Sequence, residues 1–288
     1  MTRNAAAGAD LIDFNIGTAT FTIIPATNLP PITDPVTIDG ATQSGFAGVP
    51  LIEISGTNIT GAGTNGLRIG AGSSTIRSLV IRSFTGHGLE LATNGNNLIK
   101  GCYLGTGLSG TNDLGNTLSG IFITNSRNNF IGGTSSTNRN VISSNNQQGV
   151  HIGGTNSFGN QILGNIIGLG ATGSNALANS QNGVLVSNAR SNLIGGAIAG
   201  AWANQILDNY IGLGSAFARM RGNLIGTDAT DTNALGNSGH GVEFVTNART
   251  TLSAASARAR QTPSPSTRVM ASSWFPGRTT RFAATPFS

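Results

Sequence analysis

The chain has 288 residues, of which 9% are charged and 42 are glycine, with 16 Lys plus Arg against 11 Asp plus Glu. Glycine at that frequency works against long helices, since each helical Gly costs roughly 1 kcal/mol relative to Ala, and no apolar run reaches the 18 residues of a membrane-spanning helix. The single cysteine, Cys102, excludes an internal disulfide framework.

Residues 1–50 open with MTRNAAAGADLIDF, which lacks the apolar stretch of an export signal. Leu11 to Ile16, Phe21 to Ile24 and Val36 to Gly40 then read as strands around a Pro-rich link, Leu29-Pro30-Pro31. This segment is expected to be an N-terminal cap with the first strands. From 51 to 248 the apolar residues alternate in short runs: Gly66-Leu67-Arg68-Ile69, Gly88-Leu89-Glu90-Leu91, Gly120-Ile121-Phe122-Ile123, Gly149-Val150-His151-Ile152, Gly183-Val184-Leu185-Val186 and Gly241-Val242-Glu243-Phe244. Period two means strand with one buried face. A second set of strand-like runs begins at Asn129, Asn140, Asn160, Asn192 and Asn204.

These runs recur. Leu104-Gly105, Leu114-Gly115-Asn116, Gly120-Ile121 and Ile131-Gly132-Gly133 all return 63 positions later, in the stretch Asn160 to Gly196. A fixed period implies stacked units, each burying its apolar face on its neighbours. Coils of two or three short strands account for the spacing, so the expected fold is all-β, a right-handed parallel β-helix. Its Asn145, Asn165, Asn209 and Asn223 are expected to stack as an amide ladder, with Cys102 in the place held by Asn165 and Asn223. One coil is shortened, with a tight turn expected from Ala216 to Arg221. At Arg249 the pattern stops: residues 249–288 hold six Arg, four Pro and no acid. Residues 1–248 carry ten cations against eleven acids, so the positive balance belongs to the tail and does not mark the coils as nucleic-acid binding. A disordered basic arm, a C-terminal cap and out-of-frame translation each fit such a tail. The last is the favoured reading, because it also explains why Leu252-Ser253-Ala254-Ala255 stands where Ile-Gly-Gly is due.

The outward positions of the alternating strands form a stripe of Arg68, Glu90, Phe122, His151, Leu185 and Glu243. Glycosidases need two carboxylates about 5–9 Å apart, whereas Glu90 and Glu243 fall about five coils apart, on the order of 24 Å. Arg68 is expected to pair with Glu90 and Arg77 with Glu53, as cross-strand ion pairs. His87, His151 and His240 read as scattered singly, with His240 and Glu243 at one strand end. Arg68, Glu90, His151 and Glu243 are the candidates for catalysis, and Asp228 and Asp231 for a Ca²⁺ loop. The equivalent segments Gly105 to Asn116 and Gly168 to Asn179 lack acids at those two places, so no metal and no cofactor are expected.

Asn4 to Ile16, Leu29 to Gly45, Asn223 to Asn237 and the Asn-x-Ile-Gly-Gly turns resemble bacterial right-handed parallel β-helix repeat proteins of the pectin-lyase-like superfamily. Within it the chain is similar to large exported proteins that begin with a CSLREA-type segment. The resemblance covers residues 4–249 and implies export to the cell surface or medium, with the leader and most of that segment missing from a fragment. No active site transfers with it. The expected function is an extracellular or cell-surface scaffold that binds polysaccharide or another cell-surface component, or serves structural or adhesive presentation, without catalysis. A polysaccharide lyase or glycoside hydrolase is the alternative. Nucleic acid is not an expected partner.

Overall fold

A computed structural model describes residues 10–17, 21–195 and 223, together with the backbone of seven short strands between residues 205 and 270. Its strands form three sheets of nine, eight and eight members, and every pairing between strands is parallel. Successive strands visit the sheets in turn. Leu98–Lys100, Tyr103–Leu104 and Ile121–Thr124 make one coil, Phe130–Gly132, Val141–Ile142 and Val150–Gly153 the next, and Gln161–Leu163, Ile166–Ile167 and Val184–Ser187 a third. The arrangement is that of a parallel β-solenoid with three strands per coil.

Register follows from the apolar pattern, because a slip of one residue would turn each inward side chain outward. In the first sheet Ile38, Ile76, Ile99, Ile131, Ile162 and Ile194 lie in one column. In the second, Ile54, Ile81, Leu104, Ile142 and Ile167 do the same. These columns are buried in one continuous core, and each such side chain contributes roughly 1.5–3 kcal/mol of burial. The repeat of 63 positions is two coils, since Ile121 pairs with Val150 and Val150 with Val184.

Two coils differ within that repeat because one carries an insertion. Gly105 to Asn116 and Gly168 to Asn179 fold back as hairpins, through the antiparallel bridges Thr106 to Asp113 and Leu169 to Ala176. The hairpins stack, the amide of Ala171 donating to the carbonyl of Gly110. Leu169 and Ala171 also cover Val80, Tyr103, Val141 and Ile166, an apolar patch on the outer face of the second sheet that the alternation did not reveal.

Amide ladders run along the corners, but Asn145 and Asn165 belong to different ones, which corrects the single column expected. Asn97, Asn129, Asn160 and Asn192 form one, the side-chain carbonyls of the last three accepting from the amide NH₂ of the coil before. Cys102, Asn140 and Asn165 form a second, and Asn116, Asn145 and Asn179 a third. Each asparagine named also accepts from a main-chain amide that no strand satisfies, as Asn160 does from Asn129, so these buried polar groups are paired. Asn223 donates to the carbonyl of Ile194 as Asn165 does to Ile131, which places it in the second ladder with Cys102. Asn209 lies outside the described residues.

At the N-terminal end Asp10–Asp13 pairs with Val36–Asp39, and Thr22–Ile23 with Ile52–Ser55, so these strands continue the first and second sheets. Ile32 bridges to Ile69 in the third. At the other end Thr251–Leu252 pairs with Arg219–Met220 and Val269–Met270 with Val242–Phe244. The remainder of 249–288 and most of the turn 216–221 lie outside the described residues.

Candidate functional site

The third sheet presents the outward stripe in the expected register. Arg68, Glu90, Phe122, His151 and Leu185 are consecutive pairing partners, followed by Gly212 and Glu243, so Glu90 and Glu243 stand five strands apart. The side chain of Glu243, like Asp228, Asp231 and His240, lies outside the described residues.

Six strands of this sheet follow a Gly, at 66, 88, 120, 149, 183 and 241, and backbone packing explains why where those glycines are described. A Cβ on Gly120 would sit 2.6 Å from Ile142 Cγ2, and one on Gly149 would sit 2.7 Å from the carbonyl oxygen of Gly183. The residue before each of these glycines therefore also falls into line. Asn65, His87, Ser119, Gln148 and Asn182 form a second column beside the stripe, the carbonyls of the last four accepting from the Gly amide one coil away.

The two columns are joined by side-chain bonds. Glu90 Oε2 accepts from Arg68 Nε at 3.0 Å and from Asn65 Nδ2 at 2.7 Å, while Asn65 Oδ1 accepts from the amide of His87. Arg68 and Glu90 thus pair as expected. Arg77 does not reach Glu53. It binds Asp39, its register partner, and Glu53 instead takes Arg82 at 2.6 Å. The error lay in assigning strands to sheets: Thr75–Arg77 belongs to the first sheet and Ile52–Ser55 to the second. Burial raises the Asp39 carboxyl, yet the hydrogen bonds from Arg77 and the Ala41 amide outweigh it and hold the group below its ordinary value.

Two of the histidines meet, contrary to the scattered arrangement expected. His87 stacks on Phe122 with ring centroids 4.7 Å apart, and His151 packs on the same ring at 4.9 Å. Burial, with the charge of His151 adding to it, lowers His87 to about 4. Its Nδ1 also accepts from the Ser119 amide at 3.1 Å, a role that an imidazolium cannot fill. His151 is lowered by burial, and its Nε2 shares a 2.8 Å hydrogen bond with Ser187 Oγ. Both rings are neutral at pH 7. Beyond them Ser119 Oγ donates to Gln148 Oε1, and Gln148 Nε2 to Gln181 Oε1.

The stripe was legible from alternation alone. Its partners Asn65, Ser119, Gln148 and Ser187 were missed, although the position before each strand-opening Gly carried the signal for the first three. Ser187 closes its strand and is named by register alone. Cys102 is fully buried, and burial pushes its thiol up to about 12, so it stays protonated and unreactive. Among the described residues no group of three or more His, Cys, Asp or Glu is placed to hold a metal ion. No helix there is long and apolar enough to cross a membrane.

No protein-family model matches the chain, and no curated protein is similar to it. The chemistry open to this surface therefore follows from its own groups: neutral aromatic rings, amides and hydroxyls beside one neutralised carboxylate.

Proposed function

We propose that the chain is a right-handed parallel β-helix of the pectin-lyase-like kind, exported to the cell surface or medium, whose third-sheet face binds glycan without cleaving it. The observation that carries this is the pairing of two columns on that face, Phe122 with its two histidine rings beside the Asn65, Ser119, Gln148 and Gln181 side chains. Sugars expose apolar C–H patches and hydroxyls that donate and accept at once. The apolar surface of aromatic rings suits the first, and amides, which carry both donor and acceptor, suit the second. Among the described residues the one carboxylate on this face also favours binding over hydrolysis, because Glu90 is engaged by Arg68.

The enzymatic alternative, a lyase or hydrolase, draws on the Ser187 hydroxyl beside the imidazole of His151, a pairing in which the ring accepts the serine proton in the tautomer that carries its hydrogen on Nδ1. Incubating the purified chain with neutral and acidic polysaccharides, with and without Ca²⁺, separates the two. The expected outcome is polymer that comigrates with the protein at unchanged length, with retention weakened by Phe122→Thr. Shortened polymer that persists in the wild type and disappears in His151→Gln would establish the enzyme instead.

A further inference from the structure

The corner between the third and first sheets carries a second feature. Ser126, Ser157 and Ala189 are buried at equivalent places in three successive coils, and the residues that follow them, Arg127, Phe158 and Arg190, come next in the same three coils. Their alignment is held from both sides. Asn129, Asn160 and Asn192, two positions on, form the amide ladder, and the carbonyls of Arg127 and Phe158 accept from Asn96 and Asn128, each at 2.9 Å. The guanidinium carbons of Arg127 and Arg190 lie 5.9 and 5.5 Å from the centre of the one Phe158 ring.

Both arginines are exposed, and among the described residues every ion pair belongs to Arg68, Arg77 or Arg82. Residues 114–207 contain no Asp or Glu at all. Two cations are thus gathered on one aromatic ring, within about 6 Å of it as cation–π contact requires, in a stretch with no acid to neutralise them. The strands that carry them are two coils apart, about 10 Å along the axis.

We propose that Arg127, Phe158 and Arg190 form a binding site for an anionic polysaccharide, one bearing carboxylate or sulfate groups, that lies along the solenoid axis. The site deepens the glycan-binding reading and rests on it. Guanidinium forks bind both anions through paired N–H donors, and the ring fixes the two forks in line so that one extended chain meets both. The ring is engaged by the guanidiniums and is not offered to a nucleobase, which favours a glycan over single-stranded nucleic acid.

The test uses the full chain with the six arginines of residues 249–288 replaced by Gln, so that the tail adds no cations of its own. Retention is measured at low salt on immobilised heparin (sulfated), polygalacturonate (carboxylated), dextran (neutral) and single-stranded DNA, for this background, for Arg127→Gln/Arg190→Gln and for Phe158→Leu, with circular dichroism reporting the fold. Heparin or polygalacturonate should bind, should elute as salt screens the charges, and should bind at least about tenfold more weakly in both variants. Whichever polymer shows that loss identifies the anion. Equal binding by the arginine variant would overturn the site. Preferential binding of DNA that falls with the same variant would reassign it to nucleic acid. Dextran bound as well as either anion would overturn this site and leave the glycan reading standing, whereas no polymer bound at all would end both.

Discussion

Asn160 shows how a single side chain supports this fold. Its amide accepts from the main chain and side chain of Asn129 and donates to Asn192 and to the carbonyl of Ser126. Asn160→Ala leaves several of these groups buried without partners, and should cost on the order of 3 kcal/mol, read as a lower urea midpoint with an unchanged slope. Cys102 sits in the same kind of ladder with its thiol raised to about 12, so it should resist a thiol reagent at pH 8 until denaturant is added. Rapid labelling of the native chain would contradict its burial. His87 predicts a pH dependence. Its folded value is about 4 against an ordinary 6.5, so between those values the unfolded chain binds a proton that the folded chain refuses. Stability should therefore fall as pH drops from 6.5 towards 4, and above 6.5 the contribution is constant. His151 is lowered too and acts in the same direction. Denaturation midpoints at pH 7 and pH 5 should differ less in His87→Gln than in the wild type.

Strands and corners answer to different constraints. The alternating strands were readable because inward Ile, Leu and Val recur at period two, and those of the third sheet lie where the pattern put them. Corners were read through Gly and Asn, yet Ser73, Ser78, Ser83, Ser144 and Ser191 also adopt positive φ. Nothing in their type announces it, since Ser is no better suited to that region than most residues, and tertiary hydrogen bonds hold them there. The Ser78 amide, for one, donates to the Lys100 carbonyl of the next coil. The glycines that open third-sheet strands serve close packing rather than a left-handed backbone. Gly120→Ala should destabilise by about 1–3 kcal/mol, because its methyl would meet Ile142 and Asn145 at under 3 Å. A midpoint equal to wild type would show that the neighbouring coil yields.

The whole molecule behaves as a one-dimensional stack. Asn129 and Asn160 occupy equivalent places one coil apart, so deletion of residues 129–159 removes one coil and joins equivalent corners. All three sheets would close across the gap, with Leu98 opposite Gln161, Tyr103 opposite Ile166 and Ile121 opposite Val184. The shortened chain should keep the β-type circular dichroism and unfold with a smaller denaturant slope, as less surface is exposed. Loss of structure would mean that the stack is not built from interchangeable coils. The deletion also takes out His151 and Phe158, and should weaken both proposed binding surfaces while leaving the solenoid intact.

The amino-acid pattern alone carried the repeat, the alternation and the stripe from Arg68 to Leu185, because inward residues must be apolar and a fixed period forces equivalent residues into line. It did not determine which of three sheets each short strand joins, and so paired Arg77 with Glu53 and ran Asn145 and Asn165 into one ladder. Those partners come from packing between coils, as do the stacking of His87 and His151 on Phe122 and of two arginines on Phe158. The physical reason is that neighbours along the axis are some 20 to 40 positions apart in the chain, at separations that vary with each turn, and local chemistry carries no record of that distance.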